Sequence, residues 1–235
     1  MLTLKYKLSA LLLLTCSCFT VFASEFRIFT DINERKMEAK IIRVSGSKVY
    51  IKRVDGLNTS VNVTQFCEAD QKYIEEWILD KLIENGLFDI SFSRQLSDTN
   101  RYEKDGIIYN ECNMHFEIII SNNSKTRNFK DIRVDYLILK FEDSMNTEIR
   151  SWGEIKRIKG SAGVDGIQAN EELRISTEKF PMLDAKLSNV SSVIGGREYS
   201  KDDIRGLWVK IYIGDKLAYD IAKPGNLLHT ESWDN

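Results

Sequence analysis

Two histidines in 235 residues leave little for metal or acid–base chemistry. One, His115, stands in an alternating strand pattern and the other, His229, in the C-terminal tail. No His-Glu-x-x-His, Cys-x-x-Cys or calcium-loop pattern occurs, so metal and cofactor are both expected to be absent. Cysteine is equally scarce. Cys16 and Cys18 fall in the N-terminal apolar run, and the remaining pair, Cys67 and Cys112, cannot staple a disulfide scaffold and is expected to stay unlinked. Cys112 and His115, three apart in a strand, fall on opposite faces and form no dyad. There is no Gly-x-Ser-x-Gly elbow, and Gly160, Gly163 and Gly166 lack the Lys-Ser/Thr and helix of a phosphate loop. They predict a sandwich loop. Charge of one sign is missing too. The formal charge is −2, which argues against nucleic acid as a partner.

Long apolar stretches are confined to the start. Lys5 and Lys7 precede an apolar run at residues 8–22, and Val21-Phe22-Ala23 ends it with a small residue at the cleavage position. This is the pattern of a cleavable secretion signal over residues 1–23, which makes the protein exported, to a periplasm or the extracellular space. The run is 15 residues and broken by Thr15, Ser17 and Thr20, too short for the roughly 20 that cross a bilayer. Lipidation at Cys16 or Cys18 is the lesser alternative, because neither has a good lipobox. Without Lys5 and Lys7 the formal charge moves from −2 to −4, and no transmembrane segment is expected in the mature chain.

What remains is patterned for strands. Met37, Ala39 and Ile41 alternate with Lys36, Glu38 and Lys40, predicting a strand over 36–44. A Ser45-Gly46-Ser47 turn, a strand at 48–54, an Asp55-Gly56 turn and a strand at 58–63 follow. Ile74, Trp77, Ile78 and Leu82 then recur at helical spacing, with acids in the first turns and Asn85-Gly86 as the stop. Beyond Gly86 about eight short strands are predicted, at 88–96, 107–110, 115–121, 132–141, 154–158, 173–177, 207–213 and 218–222, the last two a hairpin at Gly214-Asp215. The expected fold class is mostly β: a small SH3-like barrel plus one helix over residues 24–85, then an immunoglobulin-like antiparallel β-sandwich over 86–235.

Arg27-Ile28-Phe29-Thr30-Asp31, Met37-Glu38-Ala39-Lys40-Ile41-Ile42, Gly46 through Arg53 with Asp55-Gly56, Val61-Asn62-Val63 and Glu68-Ala69-Asp70-Gln71-Lys72-Tyr73-Ile74 keep one order and spacing. Together residues 27–75 resemble the SLA homology domain one, an SH3-like module of yeast endocytic adaptors that also occurs in exported bacterial proteins. The yeast modules bind short peptides with Asn-Pro-Phe and an acidic residue. For this chain the resemblance implies a groove suited to extended peptides. Two positions depart from the family: Asn33-Glu34 replaces a glycine turn, and Cys67 stands where a serine would cap the helix. No comparable resemblance extends over residues 87–235.

The reading is an exported, non-enzymatic binding protein with an unidentified protein or peptide partner. Strict alternation puts Lys48, Tyr50 and Lys52 on one face of their strand, the candidate peptide-binding surface. A solvated face, its lysines guarding a sheet edge, is the plainer account. Trp208 and Tyr212 are candidates for a contact surface on the sandwich; the plainer account packs Trp208 under the first module or a covering loop. The rivals are a small carboxylate-dependent hydrolase in the sandwich and a structural envelope component. Glu171-Glu172 and Asp202-Asp203 read as solvated loop charges. Converging buried carboxylates would favour the hydrolase, and an open groove in the first module would favour binding.

Overall fold

The computed structural model describes residues 26–143, 153–188 and 198–234. The expected signal, residues 1–23, lies outside the described residues. The chain is mostly β, with several antiparallel sheets and one long helix. It divides into two compact units, the first ending at Ile78 and the second beginning at Leu79. The division falls inside the helix and not at its end near Gly86.

The first unit is a four-stranded antiparallel meander, ordered β1 (Arg27–Thr30), β2 (Lys36–Ser45), β3 (Lys48–Arg53) and β4 (Asn58–Asn62). Gly46 and Gly56 sit at positive φ in the two tight turns, a conformation other residues enter at a cost. The sheet is open. β1 and β4 are its edges, and an isolated bridge between Asp31 and Phe66 links the segments beyond them. The core is completed by side chains: Phe29, Ala39, Ile41, Val49 and Ile51 meet Phe66 and Ile74, the latter from α1 (Glu68–Glu84). Burying a large apolar side chain contributes roughly 1.5–3 kcal/mol, so Phe29 and Phe66, in ring contact at 5.4 Å, anchor this small unit. The Arg27 guanidinium lies 3.8 Å from the Tyr73 ring centre and pairs with buried Asp70 at 2.6 Å, tying β1 to α1. The Cys67 carbonyl accepts the first helical bonds, from the Asp70 and Gln71 amides, and the Cys67 thiol donates to the Asp70 carboxylate at 3.4 Å.

The second unit pairs two sheets. One is ordered β11 (Tyr199–Lys201), β10 (Phe180–Leu187), β6 (Ile107–Asn122) and β5 (Phe88–Lys104), with β9 (Glu172–Ser176) also on β6. The other is ordered β13 (Lys216–Lys223), β12 (Asp203–Ile213), β7 (Phe129–Glu142) and β8 (Glu154–Ile167). Phe116, Ile118 and Ile120 of the first sheet share one core with Val134, Ile138 and Val209 of the second, as in a β-sandwich. Leu79 and Leu82 pack on this core.

Two expectations need correction. Gly160, Gly163 and Gly166 lie within β8, not in a loop. The Tyr136 ring lies over Gly160, its cross-strand partner, where any side chain would collide. β10, which holds Pro181, is a strand outside the predicted set. Proline fits because β11 pairs only residues 184–186, leaving the Pro181 side without a ladder partner there.

Candidate functional site

In β3, Val49 and Ile51 are fully buried while Lys48 and Lys52 are exposed and Tyr50 is half-buried, the alternation the pattern predicts. β3 is an interior strand, however, between β2 and β4. Its lysines therefore guard no edge, and no peptide can join it as an added strand. Tyr50 lies beneath a neighbour: the Arg43 guanidinium sits 3.9 Å from its ring centre.

The concave feature of this unit lies elsewhere. A groove of about 610 Å³ opens between the Asp31–Arg35 turn and the turn at Arg53–Asp55, with Phe29, Met37, Val61 and Phe66 among its lining. Lys48, Tyr50 and Lys52 are not part of it. Ile32 and Val54 stand on its two lips, 66% and 62% exposed, where turns ordinarily carry polar side chains. Both lips are braced. Asp31 accepts from the Asn33 and Arg35 amides at 2.8 and 2.9 Å and from Arg35 Nε at 2.7 Å. Partial dehydration would raise the Asp31 pKa, but the bonds from Arg35 and Asn33 outweigh it and hold the carboxyl below its ordinary value. Glu34 sits in this turn at φ 61°, a left-handed conformation that residues with a side chain enter at a cost. On the other lip Arg53 pairs with Asp55 at 2.8 Å, and Asp55 accepts from the Leu57 amide. The groove is thus preformed, apolar at its base and dotted with charges of both signs along its rim.

The sandwich candidates fare differently. Trp208 is only 7% exposed and cannot be an open platform. The C-terminal segment covers it: α2 (Leu227–Thr230) seats Leu227 with Leu137, Leu139 and Ala222, and the Trp233 ring meets Trp208 edge-on at 5.2 Å. Trp208 Nε1 donates to the Asp220 carboxylate, and Arg157 pairs with Glu231 at 2.8 Å to hold the segment down. Tyr212 is half-buried, with the Arg133 guanidinium 4.1 Å from its ring centre.

Asp202 is not a solvated loop charge. It is 5% exposed and pairs with buried Lys140 at 2.9 Å. Its oxygens also accept from the Asp143 and Leu183 amides, stitching three segments together. Lys140 reaches Glu142 at 2.8 Å, and Glu142 also meets Lys156. Burial would raise the Glu142 pKa, yet the bonds from Lys140 and Lys156 prevail and lower it. Lys140 thus joins Asp202 and Glu142, and the three side chains form a clamp on the segments they reach. Asp203, Glu171 and Glu172 are exposed. Cys112 faces the sandwich core and His115 the opposite side, and both Cys67 and Cys112 are free. Among the described residues, no helix is long and apolar enough to cross a membrane.

No family model matches the chain, and no curated protein matches it. Among solved structures, a crystal structure from Akkermansia muciniphila aligns over 63% of this chain and 80% of its own, at 10% identity and a TM-score of 0.23, a likeness too slight to bear on fold or function.

Proposed function

We propose that the protein is an exported, non-enzymatic binding protein whose first unit holds an extended segment of a peptide or protein partner in the Ile32–Val54 groove, with the sandwich as its scaffold. The groove carries the reading. It is preformed, it offers apolar side chains on lips that solvent would otherwise make polar, and it lies in the unit that resembles a peptide-binding module. An extended segment with one or two apolar side chains suits it, the paired charges of the rim supplying hydrogen bonds to its backbone. The test is affinity capture from an envelope fraction with the chain from Ser24, wild type beside an Ile32→Asp/Val54→Asp variant. A partner retained by wild type and lost by the variant, with unchanged circular dichroism, is expected. Equal retention by both removes the groove from the account.

A further inference from the structure

The groove crosses a strand that outruns its neighbour. β2 begins at Lys36, whereas β3 ends at Arg53, opposite Ala39. Lys36, Met37 and Glu38 therefore extend past β3, and all three line the groove. Opposite residues of an antiparallel pair turn their backbone groups either toward each other or both away. Thr30, opposite Lys36 in β1, turns away: its amide donates to Asp70 at 2.6 Å and its carbonyl accepts from the Cys67 amide at 2.9 Å. Lys36 accordingly points its amide and carbonyl away from β1, to the side on which a longer β3 would lie.

Glu38, two residues on, faces the same way, because its carbonyl accepts from the Val54 amide at 3.1 Å. Val54 thus closes the edge at Glu38. At Lys36 the edge is open. Among the described residues, neither the Lys36 amide nor its carbonyl has a hydrogen-bond partner on that side, and the residue is exposed. A donor and an acceptor therefore stand side by side in strand geometry, on a groove whose lips are Ile32 and Val54. Such a pair is what an added strand takes up. Next to it, Met37 is half-buried and packs on the core.

We propose that Lys36 clasps the partner segment by its main chain. One partner residue, running antiparallel to β2, donates its amide to the Lys36 carbonyl and accepts the Lys36 amide on its own carbonyl. This rests on the groove being the binding site. The partner residue just before the clasped one stands opposite Met37 and is apolar. The clasped residue must offer an amide hydrogen, so it is never proline.

The experiment starts from a random peptide library selected on the chain from Ser24. A selected peptide is synthesised with each backbone amide methylated in turn and titrated by calorimetry. One methylation, at the residue directly after an apolar one, should weaken binding by more than about tenfold, and those on either side by less than about threefold. On the protein, K36P removes the Lys36 amide hydrogen at the first residue of a strand, where proline is tolerated. It should bind about tenfold more weakly than K36Q, which lacks the charge but keeps the amide. If K36P unfolds, the methylation series alone decides. Peptides that I32D/V54D fails to bind, but that show no single sensitive amide, overturn the clasp and leave the groove standing. So does equal binding by folded K36P and K36Q. Peptides that I32D/V54D binds as well as wild type, or a library without binders, remove the groove and the clasp together.

Discussion

Two outward surfaces, one in each unit, are treated in opposite ways. In the sandwich, the outer face of β12 carries a tryptophan that begs for cover, and the C-terminal segment supplies it with Leu227 and Trp233. In the first unit, Ile32 and Val54 at turns, Ile42 at a bulge and Ile28 in β1 stay in solvent. Both have the same raw material, apolar side chains outside a core. What differs is whether nearby chain is spent on covering them. An apolar surface that the chain leaves open, in a molecule that closes a comparable one elsewhere, is where partners are to be sought.

The largest effect is expected in the sandwich. Asp202→Ala strips buried Lys140 of one partner and leaves the Asp143 and Leu183 amides without their acceptor. Removing one member of a buried pair costs about 3–5 kcal/mol; a loss near the lower end is expected, because Glu142 remains. Urea denaturation measures it. A change under about 1 kcal/mol would mean the clamp does not hold the sandwich.

Trp233→Ala tests the cover itself. Truncating a buried tryptophan costs about 3–5 kcal/mol, and this ring is only partly buried, so about 2 kcal/mol is expected. The Trp208 emission should shift to the red as water reaches it. An unshifted spectrum would show the segment to be ornamental.

Glu34→Gly sharpens the picture of the groove lip. Glu34 holds φ 61°, which glycine adopts freely, and a gain of about 0.5–1 kcal/mol is expected after the entropy glycine adds to the unfolded chain. Thermal denaturation reports it, and destabilisation would show that the glutamate side chain has a role of its own.

Much of the fold was legible because period and punctuation are local properties. The alternation of β2 and β3, the α1 face and the stop at Gly86 all follow from short spacings. Pairings over long separations were less so. β8 hides its strand character because glycine reads as loop until the Tyr136 ring from β7 is seen to lie on it. β5 runs well past its predicted end and β6 joins the two strands predicted at 107–110 and 115–121, making a long hairpin with a bulge that brings Asp98 to positive φ. The candidate sites divide in the same way. The face of Lys48, Tyr50 and Lys52 was readable from alternation, but its place inside the sheet was not, since strand order is a tertiary fact. For Trp208 the choice between a contact surface and packing under other chain stayed open, because nothing local says that a helix of four residues and a second tryptophan return to it. The groove went unseen, although a signal was present: Ile32 follows Asp31 and Val54 precedes Asp55-Gly56, each an apolar residue at a turn.

The proposed function makes the first unit the binding unit and its groove the site. Selection of a random peptide library on the chain from Ser24, followed by mapping a selected peptide by amide chemical-shift changes, addresses it most directly. Shifts gathered at Ile32, Arg35, Met37, Arg53 and Val54, with the sandwich undisturbed, are the predicted result. Selected peptides whose shifts gather on β12 and β13, or a library that yields no binder, would contradict it.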